Sequence, residues 1–104
     1  MLRVYAEVLE VISELKDAMA VIERKDSDLA RQMRRAAASV ALNIAEANGS
    51  RGGNRRVRFS TALGSMRETL AGLQVAGAFG YVEVAEELPR KIDRICAALY
   101  SLAR

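Results

Sequence analysis

The spacing of apolar residues by threes and fours limits what this chain can become more than any other feature. Leu2, Tyr5, Val8/Leu9, Ile12, Leu15, Met19 and Ile22 recur at that interval, which marks one face of an α-helix. A second segment, over about residues 28–47, repeats the pattern at Leu29, Met33, Ala36/Ala37, Val40, Ile44 and Ala47. A third, over about 55–78, carries Phe59, Ala62/Leu63, Met66, Leu70, Leu73 and Ala76/Gly77. The fourth, over about 83–102, carries Val84, Leu88, Ile92, Ile95/Cys96, Leu99 and Leu102. No segment alternates as a strand would. Four amphipathic helices with short connections predict an all-α fold, an antiparallel up-down-up-down four-helix bundle. At 104 residues the chain has room for one core, so residues 1–104 read as a single domain.

The punctuation agrees with four helices. Asp26 or Ser27 is placed to cap the second helix by accepting from its free amides. Asn48-Gly49 is a stop signal, since Gly takes the left-handed conformation past a helix end. Asn54 is placed to cap the third helix after the loop Gly49-Ser-Arg-Gly-Gly-Asn54. Pro89 predicts either a kink near Leu88 or a restart of the fourth helix at the proline.

The second helix has one apolar row too many for a small bundle. Beside its main stripe run Ala38, Ala41/Leu42 and Ala45. A helix apolar on most of its circumference must be covered on more than one side. In so short a chain the second cover is another subunit, which makes Ala38, Leu42 and Ala45 the candidate oligomer interface.

Charge is uneven along the chain. Seven arginines (31, 34, 35, 51, 55, 56 and 58) lie between Arg31 and Arg58 with one acid, Glu46, while the remainder holds nine basic and twelve acidic residues. A basic middle on an acidic remainder points to a polyanionic partner. Arg31, Arg34, Arg51, Arg55, Arg56 and Arg58 are the candidate nucleic-acid contacts, the last four clustering at an amide-rich helix start suited to phosphate. The loop lacks the Gly-Lys-Ser/Thr ending of a nucleotide-hydrolysing phosphate loop and follows no strand. The competing reading is a solvated loop whose arginines pair with acids of a neighbouring subunit.

The residues argue against catalysis. The chain has no histidine, which removes histidine bases, triads and metal ligands. Its one cysteine, Cys96, sits at a stripe position and reads as a buried structural thiol. Glu46 and Glu68 lie in apolar neighbourhoods. They read as partners of arginines, inside the bundle or at a subunit contact, in preference to metal ligands. No cofactor, metal or small-molecule substrate is expected. The longest uncharged run, Thr69 to Val82, holds three glycines and is short of a membrane span. No signal peptide is evident, so the expected location is the cytoplasm.

The segment Gln32-Met-Arg-Arg-Ala-Ala-Ala-Ser-Val-Ala-Leu-Asn-Ile-Ala-Glu46 resembles a signature of the bacterial four-helix-bundle proteins encoded by intervening sequences of 23S ribosomal RNA genes. Arg58-Phe-Ser-Thr-Ala-Leu-Gly-Ser65 with Glu68, and the turn Gly80-Tyr81, resemble two further motifs of that family. The similarity is most specific over residues 29–82. Ala47 departs from the family's usual Gly, and Arg55-Arg56 makes this loop more basic than is common. The resemblance implies a left-handed bundle that assembles as a homo-oligomeric ring, typically a pentamer, with no catalytic residues. Arg35, Asn43, Glu46, Ser65 and Glu68 would be its structural polar network. Accessory variability proteins of retroelements are related bundles that work with RNA, so RNA or a ribonucleoprotein is the implied partner, by analogy alone.

Overall fold

The computed structural model describes residues 2–104 and consists of four helices with no strand among them. They are α1 (Arg3–Lys25), α2 (Ser27–Asn48), α3 (Gly52–Ala78) and α4 (Glu87–Ala103). Each packs against its neighbours in the cycle α1, α2, α3, α4 and back to α1. The molecule is a rod 42 Å long and 24 by 19 Å across. Cross-helix partners fix the directions. Ser39 faces Ser65, Asn43 faces Arg58 and Ala47 faces Arg55, so α3 runs against α2. Lys91 bonds Glu14, and residues 94–95 stand beside 7–11, so α4 runs against α1.

The core is aliphatic with one large ring. Ile22, Met33, Ile44, Phe59, Met66, Leu73, Ile92 and Leu99 are fully buried. On α2 and α3 the stripes predicted from spacing point inward with small shifts: Ala30 is buried where Leu29 is only half-buried. On α1 the predicted face is rotated near its start. Val4, Val8 and Val11 are buried, Leu2, Tyr5 and Ile12 are half-buried, and Leu9 is exposed. The buried residues Leu15, Met19 and Ile22 set the phase, and counting back by fours and threes from them lands on the valines.

The connections differ from expectation in four places. Asp26 alone links α1 to α2, where a four-residue turn was expected. Of the two predicted caps it is the one used, and its Oδ1 accepts from the Leu29 amide at 3.0 Å. Gly49 ends α2, but with φ −95° and not in the left-handed region; its amide and the Ser50 hydroxyl satisfy the Glu46 carbonyl instead. The left-handed glycines are Gly52 and Gly80. Asn54 does not cap α3: the helix starts earlier, at Gly52, with Arg51 in the cap position and no side chain on its first amides. Finally, α4 starts at Glu87, so Glu83–Glu86 lie outside it; of the two outcomes expected at Pro89, the structure has a helix that begins beside the proline instead of a kink at Leu88. Pro89 falls in the first turn, where a missing N–H costs nothing.

Two contacts tie the elements together. A Cβ on Gly72 would lie 2.5 Å from Met33 Cγ, so only glycine lets α3 approach α2 this closely. At the end of the rod near Asp26, the Tyr81 hydroxyl donates to Asp26 Oδ2 at 3.2 Å, and the Tyr81 ring stacks on Phe79. Asp26 thus caps α2 with one oxygen and holds the α3–α4 connection with the other.

Candidate functional site

The seven arginines separate into two groups. Thirteen residues of helix separate Arg35 from Asn48, about 20 Å at 1.5 Å per residue. Arg31, Arg34 and Arg35 therefore sit toward the Asp26 end of α2, and Arg51, Arg55, Arg56 and Arg58 sit at the corner between α2 and α3. The first group is partly neutralised: Arg31 pairs with Asp28 at 3.2 Å and Arg34 pairs with Glu23 of α1. Both pairs are exposed, so they contribute little to stability.

Arg55 is structural. Its Nη1 donates to the Ala47 carbonyl at 3.0 Å, and its guanidinium lies 5.0 Å from the Phe59 ring centroid. The cation thus closes the C-terminus of α2, where four carbonyls lack helical partners and the dipole favours positive charge. Sequence reasoning treated Arg55 as a surface contact. The signal for its real role was an Arg eight residues beyond Ala47, across a tight loop and one turn before a buried Phe. Arg51, Arg56 and Arg58 remain exposed and, among the described residues, carry no ion pair. Arg58 reaches only the Asn43 Oδ1, at 3.4 Å. Beside them lie the uncapped first amides of α3, at Gly52, Gly53 and Asn54. Cations and free amides at one exposed corner form a donor surface for oxyanions.

The expected polar network is present in part. Ser39 and Ser65 share a hydroxyl hydrogen bond of 2.8 Å. Asn43 Nδ2 donates to the Ser39 carbonyl and hydroxyl at 2.9 and 3.1 Å, and Arg58 joins through Asn43. The Thr69 hydroxyl donates to the Ser65 carbonyl beneath them. Arg35 and Glu68 stand on the walls of the same cleft, about 300 Å³ between α2 and α3, with Gln32, Ala36, Ser39 and Ser65. They do not pair with each other. Glu46 lies apart, facing a shallow depression with Leu42 and Ala45. Inside the bundle, the expected pairing of Glu46 and Glu68 with arginines does not form: both are exposed and neither has a cationic partner within 4 Å among the described residues, which leaves a subunit contact as the other expected place for it. Ile44 and Ala47 beside Glu46, and Met66 beside Glu68, turn to the core while the acids turn outward.

The second row on α2 is open. Ala38, Leu42 and Ala45 are exposed, Leu42 by 65%. Next to it lie two separate, mostly apolar depressions between α1 and α2, one lined by Leu2, Tyr5, Ile44, Ala45 and Asn48 and the other by Ile12, Met19, Arg34, Ala37 and Ala38. Cys96 is half-buried, less than the spacing suggested, and burial pushes its thiol pKa up despite nearby Arg67. No three carboxylates or thiols among the described residues are grouped to hold a metal. No helix of the described residues is long and apolar enough to cross a membrane.

A four-helix bundle with a hydroxyl–amide seam between α2 and α3 and a basic corner places the chain among helical-bundle proteins. The family described as 23S rRNA-intervening sequence protein matches residues 1–101, nearly the whole chain, and this protein belongs to it. No curated protein and no solved structure matches the chain.

Proposed function

We propose that this protein is a non-enzymatic, oligomeric binding module that associates with RNA or a ribonucleoprotein in the cytoplasm. The observation that carries the RNA reading is the corner where Arg51, Arg56 and Arg58, without acidic partners, surround the uncapped amides of α3. Such a surface suits phosphate oxygens and has no aromatic platform for stacking bases. The description of the family, which ties it to 23S rRNA genes, supports the same partner class. The missing histidine and a thiol held protonated by burial support a role without catalysis.

The open row of Ala38, Leu42 and Ala45 supports assembly of copies, with a ring of five as the expected form. That row also favours a second reading, a scaffold ring that binds proteins and never touches nucleic acid. Filter binding of structured RNA across a salt series separates the two. On the first reading affinity falls steeply with salt, and Arg51→Ala with Arg56→Ala lowers the slope of log affinity against log salt by about two. Arg55 is left intact because it closes α2. Absence of binding at low salt, or an unchanged slope in the double variant, would leave the scaffold reading in place.

A further inference from the structure

The charges of the bundle are sorted between the two ends of the rod. Leu2 and Tyr5 line a depression with Ile44, Ala45 and Asn48, so α1 begins where α2 stops. Arg55 reaches the Ala47 carbonyl, so α3 begins at the same level. The Lys91–Glu14 bond places α4. Arg3 lies eleven residues before Glu14, and Arg104 lies thirteen after Lys91. At 1.5 Å per residue these are about 17 and 20 Å toward the same end. Arg3 and Arg104, remote in sequence from the arginine cluster, thus come to the end that holds Arg51, Arg55, Arg56 and Arg58.

Within seven residues of this end on each helix, side chains supply those six arginines against two acids, Glu7 and Glu46. Within seven residues of the other end, with the α3–α4 connection included, five cations stand among seven acids. The two acids leave the basic end in excess. Glu7 stands with Lys91 and Arg94 between α1 and α4, and Glu46 faces Leu42 and Ala45. Arg3, Arg51, Arg56, Arg58 and Arg104 are exposed, and among the described residues none has an ion pair.

Folding gives no reason for all of this. The start of a helix favours acids, yet the first turns of α1 and α3 hold none, and Arg3 opens α1. Gathering like charges at one end also costs repulsion. Arg104 follows the end of α4, where the dipole favours a cation, so stability accounts for its place. For Arg3, a polyanion laid over the end supplies the missing reason.

We infer that the basic end of the rod, with Arg3 and Arg104 beside Arg51, Arg56 and Arg58, is the surface that meets the RNA backbone, so that the RNA lies across the end of the bundle and not along its side. The inference rests on the RNA reading above and extends its contacts to α1 and α4. An end 24 by 19 Å across offers these cations to neighbouring phosphates together.

Filter binding of a structured RNA to the full chain across a salt series tests it. Arg3→Ala with Arg104→Ala should lower the slope of log affinity against log salt by about two, as much as Arg51→Ala with Arg56→Ala. Arg24→Ala with Lys25→Ala removes the same charge from the other end and should leave the slope unchanged. All six side chains are exposed, so each variant should keep its helical signal by circular dichroism. An unchanged slope in the Arg3/Arg104 variant would overturn this surface, and a lowered slope in the Arg51/Arg56 variant would then keep the RNA reading. An equal fall in the Arg24/Lys25 variant would assign binding to net charge and also overturn it. Displacement of the RNA by poly-glutamate at matched charge would assign the end to acidic proteins, with the same consequence. A wild-type chain that binds no RNA at low salt would overturn the RNA reading and this inference together.

Discussion

On one side of α2, Met33, Ala37 and Ala38 meet Ile12, Leu15 and Met19 of α1 across an apolar groove; on the other, Gln32, Arg35 and Ser39 meet Ser65 and Glu68 of α3 across a polar cleft. The two seams divide the work of folding. Apolar burial is strong but has no direction, so the α1–α2 seam supplies stability and leaves register to the one-residue link at Asp26 and the exposed Arg34–Glu23 pair. Hydrogen bonds are weak in net terms but directional. Only one alignment of α2 on α3 places the Ser39 hydroxyl on Ser65 and Gly72 beneath Met33.

Substitutions at the two seams should therefore differ in size. Leu15→Ala, in the apolar seam, should have the largest effect, about 2–5 kcal/mol, from lost transfer energy plus an unfilled cavity. A lowered urea midpoint with an unchanged slope would report it. Gly72→Val should cost about 1–3 kcal/mol by overpacking against Met33, read as a drop in thermal midpoint with helical content retained. A cost as large as that of Leu15→Ala would mean that the tight α2–α3 approach dominates stability, reversing the comparison. Asp26→Ala removes the α2 cap and should cost about 1 kcal/mol. Ser39→Ala should be smaller, about 0.5 kcal/mol, because the half-exposed Ser65 hydroxyl can turn to water. All four comparisons belong at one protein concentration, since assembly would add to apparent stability.

The alkaline range sharpens the role of Asp26. Partial burial, then the hydrogen bond to Asp26, raises the Tyr81 pKa above its ordinary value of 10.0. The bond to Glu14 likewise raises Lys91 above 10.5. For both groups the folded state keeps its proton after the unfolded chain has lost it. Their contributions are complete below about pH 10 and are lost as pH climbs through the raised folded values. The thermal midpoint should fall in that window, and Tyr81→Phe should flatten part of the fall. An equally steep fall in that variant would show that the Tyr81–Asp26 bond does not couple to folding.

The family motif and the seams overlap only in part. Ser65 and Asn43 lie in the bonded network, as the family resemblance implied. Arg35 and Glu68 share the cleft without bonding, and Glu46 faces away from it. An apolar run around an acid says only that its helix has a core side. It does not say that the acid points there, because residues one or two apart lie on different faces.

The sequence by itself determined what depends on local order: four helices, the inward stripes of α2 and α3, a cap for α2 at Asp26 or Ser27 and the open row at Leu42. Periodicity and capping act within a turn or two, so they can be read along the chain. The tertiary structure decided everything that depends on which residues face one another across helices. It split the seven arginines into two groups by the length of α2, and it turned Arg55 into a lid on the end of that helix. It also turned Val4 and Val11 inward beside the predicted Val8 at the start of α1, and left Arg35 and Glu68 unpaired in one cleft. Charge density along a sequence becomes a surface only when the chain's path is known, because interactions between charges depend on distance in space.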